Sequence, residues 1–262
     1  MSNGGGLGLA GSARVYDCLL GGKDNYAVDR ELVRELLGID PDLVDAARAN
    51  RAFVRRAVRE MAGLGLRQFL DIGCGLPTND NVHQIASRHM PGPRVLYVDQ
   101  DPLVLVHARA LLVDDGDVAV VQADLRKPED LVAQSLDHGL LDPAEPVGVL
   151  LASVLHHLTD AEDPWHAVRT LTDALPPGSA IVLSHLTDAS GDVSGDLAAR
   201  YTEGCSLPLV PRDTAAITSL LDGLELLAPG VVPVEAWRPE ISAGAPPEPS
   251  SHYLVAAATV PR

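Results

Sequence analysis

The chain has 262 residues, enough for one large α/β domain or two small ones with a substantial core. Hydrophobic residues make up 46% of it and aromatic residues only 3%, so Leu, Val and Ala must fill the interior. The formal net charge of −16 argues against a nucleic-acid-binding surface, because such affinity depends on clustered Lys and Arg. Basic residues do cluster at 48–59, but apolar residues lie between them at helical spacing, which indicates a solvated helix face.

Compartment and membrane association follow from composition. The three cysteines have no paired spacing, which fits a reducing compartment and favours neither a disulfide framework nor a zinc site. No apolar stretch approaches the length of a membrane span, and residues 1–11 are glycine-rich instead of basic and then apolar. We therefore expect a cytoplasmic protein with no metal and no membrane partner.

The N-terminal quarter is predicted to be a helical cap. Residues 1–12 are expected to form a disordered tail. Two short helices at 13–20 and 26–37 flank a Gly-Gly turn, and Asp40-Pro41 opens a longer helix with Asp as cap and Pro at its first position. Residues 13–65 make up this cap.

The remaining chain, 66–262, alternates strands and helices. The strand-like runs are 69–72, 95–99, 118–123, 147–153, 180–186, 224–227 and 252–259. Helices are expected at 102–112, from 128, at 159–175 and at 211–221, while 229–251 reads as a Pro/Gly-rich loop. Near-continuous apolar strands that alternate with helices predict a mostly parallel sheet covered on both faces, within one domain at 13–262.

The segment RQFLDIGCGLPTN at 67–79 is the most informative motif. A buried run ends at Asp71 and Ile72 and is followed at once by Gly73 and Gly75. Glycine permits backbone angles barred to other residues and leaves no Cβ between the main chain and a ligand. The motif therefore predicts a strand that feeds a turn against a nucleotide-type ligand.

Acidic residues also follow the next two strands. In a doubly wound sheet, ligands bind at the carboxyl ends of the strands. Asp99 can accept both hydroxyls of a ribose there, and Asp124 can accept a hydrogen bond from an adenine amine. Asp101, which precedes Pro102, is better explained as a helix cap.

The glycine turn departs from the pattern of a dinucleotide site. The third glycine of Gly-x-Gly-x-x-Gly is replaced by Thr78, and Pro77 removes an N–H that would hold phosphate. Asp71 is an unfavourable neighbour for a pyrophosphate but suits a ligand with an amino group. S-adenosylmethionine carries adenine, ribose, an ammonium, a carboxylate and a sulfonium without phosphate, and fits these departures.

The blocks LDIGCG, YVDQDP, ADL and ASVLHHL together resemble the class I S-adenosylmethionine-dependent methyltransferases. More narrowly, ARVYDCLLGGKDNYAVDRE, RANRAFVRRAV, LPPGSAIVLSH and ELLAPGVVPVEAWRP resemble an actinobacterial group of S-adenosyl methyltransferases long catalogued as a domain of unknown function. The resemblance covers residues 13–260. It implies a Rossmann-like, seven-stranded sheet whose last strand is antiparallel.

The resemblance also implies roles for individual residues. The backbone of Gly73, Cys74 and Gly75 would face the amino-acid end of the cofactor, and Asp71 would hold its ammonium. Asp99 would take the ribose, Asp124 with Leu125 would border the adenine, and Ser153 would lie near the sulfonium. Gln100, next to Asp99, is also expected to bind the cofactor.

The N-terminal block suggests a further contact. Tyr16 and Lys23 lie around the Gly-Gly turn in an otherwise apolar segment. One hypothesis is that this segment closes over the cofactor and that either side chain reaches its carboxylate. The alternative is a packing helix pair whose Lys and Tyr tips are solvated.

Methyl transfer needs a base only if the acceptor must lose a proton. His156 and His157 follow the fourth strand and are the candidates, with His157 slightly preferred; His185 ends the fifth strand, and Tyr201 with Glu203 lies on the expected acceptor side. The alternative is that the His pair only packs and bonds a loop carbonyl.

We thus predict methylation of oxygen or nitrogen on a small molecule. Alternatives are a protein that only senses S-adenosylmethionine or S-adenosylhomocysteine and, less favoured, a nicotinamide-dependent oxidoreductase.

Overall fold

Helices surround a central sheet in this computed structural model, which describes residues 8–78, 80–112, 116–189, 191–239 and 252–261. The helices are α1 (Ser12–Leu19), α2 (Ala27–Ile39), α3 (Leu43–Gly63), α4 (Val82–Ser87), α5 (Pro102–Leu112), α6 (Pro128–Asp137), α7 (Pro164–Asp173), α8 (Asp192–Gly204) and α9 (Thr214–Ser219). The strands are β1 (Gln68–Ile72), β2 (Arg94–Asp99), β3 (Val118–Gln122), β4 (Val147–Ala152), β5 (Ala180–Leu186), β6 (Glu225–Leu226), β7 (Val232–Pro233) and β8 (Tyr253–Thr259). Within these ranges, no helix is long and apolar enough to cross a membrane.

The strands form one mixed sheet in the order β3-β2-β1-β4-β5-β8-β6, and β7 also pairs with β8. The first five strands are parallel, whereas β8 runs antiparallel to β5, with Ala180 opposite Thr259. The expected sixth strand at 224–227 contains β6, whereas β7 lies in the segment expected to be loop; the two pair with different parts of β8. The predicted mostly parallel, Rossmann-like sheet is confirmed.

Alternate strand residues supply two hydrophobic cores, one on each face of the sheet. Phe69 packs with Phe53 of α3, while Leu70 and Ile72 pack with residues of α6, α7 and α9. Because side chains alternate along a strand, Asp71 lies on the same face as Phe69. The apolar run of β1 therefore directs the one acid of the strand toward the side of the sheet that α3 covers.

A buried carboxylate joins parts of the N-terminal cap. Asp29 is fully buried; its Oδ1 accepts from the Gly11 amide at 2.9 Å, and its Oδ2 accepts from Arg14 Nε at 2.8 Å and from the Tyr26 amide at 2.7 Å. Ala10 is also buried and donates its amide to the Gly204 carbonyl at 2.9 Å. The expected disordered tail thus differs from the structure at its C-terminal end, while residues 1–7 lie outside the described residues.

Helix α8 lies between the predicted strand at 180–186 and the predicted helix at 211–221, where the sequence patterns indicate no element. Gly195 and a polar first turn obscure the helical pattern, but Leu197 and Tyr201 are four residues apart and both are buried. The expected loop at 229–251 contains β7, and its residues 240–251 lie outside the described residues. The unexpected α8 supplies one wall of the site.

Candidate functional site

A cavity of about 490 Å³ opens at the carboxyl ends of the parallel strands, with walls from α1, α3, α8 and the loops after β1 to β4. All residues predicted to bind the cofactor or to act as base, except Lys23, line it: Tyr16, Asp71, Gly73, Cys74, Gly75, Asp99, Gln100, Asp124, Leu125, Ser153, His156 and His157. On the expected acceptor side, Tyr201 lines the cavity, whereas His185 and Glu203 do not. Lys23 is exposed on the Gly-Gly turn and does not reach the cavity.

The turn after β1 requires glycine at two positions for different reasons. Gly73 and Gly75 have φ angles of 69° and 65°, in the left-handed region that other residues rarely adopt. A Cβ on Gly73 would also lie 2.7 Å from Val154 Cγ2, whereas a Cβ on Gly75 would meet no atom within 4 Å. The absence of a Cβ on Gly75 therefore leaves room on the cavity side of the turn. Its absence on Gly73 lets the turn approach the loop after β4.

Asp71 is a carboxylate that lacks a partner. Among the described residues, no hydrogen bond or ion pair within 4.0 Å reaches its side chain. Burial raises the pKa of Asp71 to about 7, and the charge of Asp99 adds to this, while Arg51 opposes it. A cation bound beside Asp71 would stabilise its ionised form.

Asp99 is oriented by the backbone. Its Oδ2 accepts from the Gly75 amide at 3.0 Å and its Oδ1 accepts from the Asp101 amide at 2.9 Å. Burial raises the pKa of Asp99 above its ordinary value despite these hydrogen bonds. Each oxygen keeps a further lone pair for a ligand hydroxyl. Asp101 itself caps α5 by accepting from the Leu103 amide at 2.9 Å, as its position before Pro102 predicts.

The Asp124 carboxylate is paired within the protein. It accepts from Arg126 Nε at 2.9 Å and from Arg126 Nη2 at 2.7 Å, and the same Nη2 donates to Gln100 Oε1 at 2.7 Å. Burial alone would raise the pKa of Asp124, but the hydrogen bonds and charge of Arg126 lower it below its ordinary value. Arg126 thus holds Asp124 and Gln100 together at the edge of the cavity, next to buried Leu125.

Ser153 lies at the centre of a buried polar cluster at the end of β4. Its φ of 57° is in the left-handed region, and its Oγ accepts from Asn50 Nδ2 at 2.7 Å. Asn50 Nδ2 also donates to Tyr16 Oη at 2.9 Å, and Tyr16 Oη donates to the Ala47 carbonyl at 3.2 Å. Burial raises the pKa values of Tyr16 and Tyr253, so both phenols stay protonated donors at neutral pH.

The two adjacent histidines have different environments. His156 is buried, and its Nδ1 accepts from the Leu186 amide at 3.2 Å. His157 Nδ1 donates to the Pro208 carbonyl at 2.8 Å, which leaves Nε2 as the acceptor in the neutral ring. Burial lowers the pKa of His157 to about 4 and that of His156 well below its ordinary value. Both rings are therefore neutral at pH 7.

His157 is the middle of a hydrogen-bonded chain that joins three distant segments. Ser12 Oγ donates to His157 Nε2 at 2.9 Å and accepts from Tyr201 Oη at 3.0 Å. His185 lies behind this chain, where its Nδ1 donates to the Leu186 carbonyl at 2.7 Å and its Nε2 accepts from buried Arg212 at 3.0 Å. Among His156, His157 and His185, it is therefore His157 whose acceptor nitrogen bonds a hydroxyl that lines the cavity.

The structure corrects the interpretation of the basic cluster at 48–59. Arg51 lines the cavity, and its Nη2 donates to Thr78 Oγ1 at 2.9 Å and to the Asp80 carbonyl at 2.7 Å. Its position follows from helical spacing, because Ala47, Asn50 and Val54 occupy the same face of α3. Sequence reasoning also missed Arg126, which holds Asp124, and it missed Ser12, Asn50 and Tyr253, which lie far in sequence from the strand ends that they adjoin.

The chain matches the S-adenosyl methyltransferase family over residues 8–261. It is 35% identical to a candidate methyltransferase from Thermobifida fusca, with a TM-score of 0.91 over 97% of this chain and 96% of that one. It is also 35% identical to a DUF574 family protein from Streptomyces avermitilis, with a TM-score of 0.90 over 97% of this chain and 98% of that one. No curated protein sequence matches it significantly.

A more distant structure shares the fold. The N-methyltransferase NodS of Bradyrhizobium japonicum, in complex with S-adenosylhomocysteine, is 18% identical, with a TM-score of 0.54 over 90% of this chain and all of that one. The predictions of a Rossmann-like methyltransferase fold, of S-adenosylmethionine as cofactor and of a methyltransferase activity are confirmed by these matches. This chain belongs to the S-adenosyl methyltransferase family.

Proposed function

We propose that the protein transfers the methyl group of S-adenosylmethionine to oxygen or nitrogen of a small molecule. The observation that carries the proposal is the unpaired Asp71 carboxylate, with its pKa of about 7, beside a glycine turn in a cavity large enough for ligands. An ammonium is the chemical group that would pair with this carboxylate. Bound cofactor supplies an electrophilic methyl group on a sulfonium, which is a good leaving group, so the protein contributes mainly alignment and exclusion of water.

The amino-acid end of the cofactor is proposed to lie against the turn of Gly73, Cys74 and Gly75. Asp71 would hold the ammonium, and the Arg51 guanidinium on the same side of the cavity is the proposed partner of the carboxylate. Burial raises the pKa of the Cys74 thiol well above its ordinary value, so this side chain is neutral. The absent Cβ of Gly75 leaves the space that this end of the ligand needs.

The nucleoside end is proposed to lie along the ends of β2 and β3. Asp99 would accept from the ribose hydroxyls, because both of its oxygens are already oriented by one amide each. Gln100, Asp124 and Leu125 would border the adenine. Since Arg126 occupies the Asp124 carboxylate, any adenine amine must share that acceptor with a guanidinium.

The methyl acceptor is proposed to bind next to Ser153. His157 is the preferred proton acceptor, reached through Ser12, because its Nε2 already accepts from that hydroxyl. A base with a pKa of about 4 can still take the proton of an oxygen or nitrogen that becomes acidic as it is methylated. His156 is less suited to this role, since its Nδ1 accepts from a backbone amide inside the core.

Calorimetry with S-adenosylmethionine, S-adenosylhomocysteine and NAD tests the cofactor part of the proposal. We expect the first two to bind and NAD not to bind. Asp71→Asn should weaken binding of both, whereas the exposed Asp137→Asn, outside the cavity, should leave it unchanged. Tight binding of NAD alone would contradict the proposal.

Methyl transfer itself requires a separate experiment. Protein incubated with methyl-labelled cofactor and a metabolite extract should release a labelled small molecule, and boiled protein serves as control. A protein that binds S-adenosylmethionine tightly but labels nothing across extracts would instead be a sensor of that ligand. One observation favours this second candidate. His157 Nε2 already accepts a hydrogen bond from Ser12, and among the described residues of the cavity no other histidine has an acceptor nitrogen directed to a ligand.

A further inference from the structure

The walls of the cavity divide into two chemically different parts. Most of the charged side chains that line it lie at the carboxyl ends of β1 and β2, in the loops after β2 and β3, or against the loop after β1: Arg51, Asp71, Asp99, Asp101, Asp124 and Arg126. We call this part the charged half. The neutral half consists of Ser12, of Leu197 and Tyr201 from α8, of segment 206–209, and of His157, Leu186 and Tyr253 at the ends of β4, β5 and β8.

No described residue of the neutral half carries a charge at neutral pH. The His157 ring is neutral because burial lowers its pKa to about 4, and burial raises the pKa of Tyr201 well above its ordinary value. Asp17, the one charged lining residue of α1, is engaged elsewhere: its Oδ2 accepts from the Asp24 amide at 3.0 Å and from Asn25 Nδ2 at 2.8 Å. The remaining walls are largely leucine, including Leu186, which is buried.

Such walls select against a charged ligand. A carboxylate or phosphate in the neutral half would find no cation within it, and an ammonium would find no anion. Because an unpaired charge taken from water into an apolar site costs far more free energy than a neutral polar group, either ligand would bind weakly.

The Ser12 hydroxyl in the neutral half keeps a hydrogen-bonding position that a ligand can fill. A hydroxyl offers one donor and two acceptor positions. Ser12 Oγ donates to His157 Nε2 and accepts from Tyr201 Oη, so one acceptor position remains. Resting on the proposed methyltransferase function, we infer that the neutral half binds an uncharged, mostly apolar methyl acceptor that donates one O–H or N–H hydrogen bond to Ser12.

Binding of matched probes to the full-length protein saturated with S-adenosylhomocysteine tests this, because that complex cannot turn over. The neutral probes are 2-naphthol and 2-naphthylamine, and the charged ones are 2-naphthoate and 2-naphthylmethylammonium. At least one neutral probe should bind about tenfold more tightly than either charged probe, and 2-methoxynaphthalene, which lacks a donor, should bind about fivefold more weakly than 2-naphthol. Ser12→Ala should abolish that second difference.

Variants locate the probe in the cavity. Leu207→Asp and Leu197→Asp place a charge in the neutral half and should weaken binding of the best neutral probe about tenfold or more. Val193→Asp is the matched control, since Val193 lies on the same helix as Leu197 but is 40% exposed and outside the cavity. Unchanged S-adenosylhomocysteine affinity shows that each variant is folded.

Two outcomes overturn the inference: a charged probe that binds as tightly as the neutral ones, or no binding of any neutral probe to protein that holds S-adenosylhomocysteine. Failure to bind S-adenosylhomocysteine would instead contradict the proposed function.

Discussion

The charged and neutral halves of the cavity are assembled in different ways. In the charged half, hydrogen bonds join residues near the ends of adjacent strands: Gly75 and Asp99 are 24 positions apart, and Asp99 and Asp101 are 2 apart. In the neutral half, hydrogen bonds join residues that are far apart in sequence: Ser12 and His157 are 145 positions apart, and Ser12 and Tyr201 are 189 apart.

This difference suggests that the two halves depend on different elements of the fold and affect different properties. Parallel strands deliver their carboxyl ends to one edge of a sheet whatever covers that edge, so the carboxylates of the charged half depend little on the helical cap, which contributes Arg51 from α3. The neutral half exists only when α1 and α8 close over the ends of β4 and β5. A change in the charged half should therefore affect cofactor binding, and a change in the neutral half should affect the stability of the closed cap and the choice of acceptor.

The largest expected effect is that of Asp99→Ala on the charged half. The change removes the proposed acceptor of the ribose hydroxyls and releases the amides of Gly75 and Asp101. Hydrogen bonds to a charged group contribute about 1.5–3 kcal/mol each, so we expect affinity for S-adenosylmethionine to fall about 100-fold or more. Calorimetry measures this, with Asp137→Ala as the surface control. An unchanged affinity would show that the ribose lies elsewhere.

The second prediction concerns the pH dependence of cofactor binding. The pKa of Asp71 is raised from 3.8 to about 7 in the unliganded protein, and an ammonium beside it would lower that pKa. Binding then releases a proton below pH 7, so affinity should rise by up to about tenfold per pH unit between about pH 5.5 and 7 and level off above. Titrations at several pH values measure the slope. Asp71→Asn should remove it, and a slope that persists in this variant would exclude Asp71 as its source.

Substitution of two glycines separates backbone strain from ligand contact. Gly75 and Gly139 both have positive φ angles, 65° and 76°, and a Cβ on either would meet no atom within 4 Å, but only Gly75 lines the cavity. A left-handed conformation costs an alanine about 1–2 kcal/mol. Both alanine variants should lose about that free energy of unfolding, and only Gly75→Ala should also weaken cofactor binding, about five- to tenfold. Equal cofactor affinity in the two variants would place the ligand away from the turn.

The same division explains what could be predicted from the sequence. The five parallel strands, Asp71, the two glycines and Asp99 follow from local patterns, because burial, turns and strand ends are each encoded by a few adjacent residues. Arg51 was misjudged since a basic residue at helical spacing looks the same whether its helix faces solvent or a cavity. Ser12, Asn50 and Tyr253 could not be found, because their roles depend on distant partners that no local pattern specifies.

Lys23 and Tyr16 show the same limit within one motif. Their polarity beside a Gly-Gly turn suggested that either could reach a ligand, yet of the two only Tyr16 lines the cavity, where it bonds to Asn50 and the Ala47 carbonyl, while Lys23 is exposed. The direction of each side chain is set by how α1 packs on α3, which the motif does not contain. A polar residue near a turn therefore predicts a position in the chain but not a contact.

The smallest expected effect is on the stability of the neutral half. Tyr201→Phe removes the donor to Ser12, and a hydrogen bond of this kind contributes about 1 kcal/mol, so the free energy of unfolding should fall by about that amount. Tyr26→Phe is the matched control, because Tyr26 is 56% exposed, and its loss of a hydroxyl should cost less than about 0.5 kcal/mol. Denaturant unfolding of Tyr201→Phe, Ser12→Ala and the double variant completes a double-mutant cycle that isolates this one bond from the other contacts of Tyr201. A coupling energy near zero would mean that Ser12 and Tyr201 do not hold α1 against α8, and the neutral half would then need another explanation for its closure.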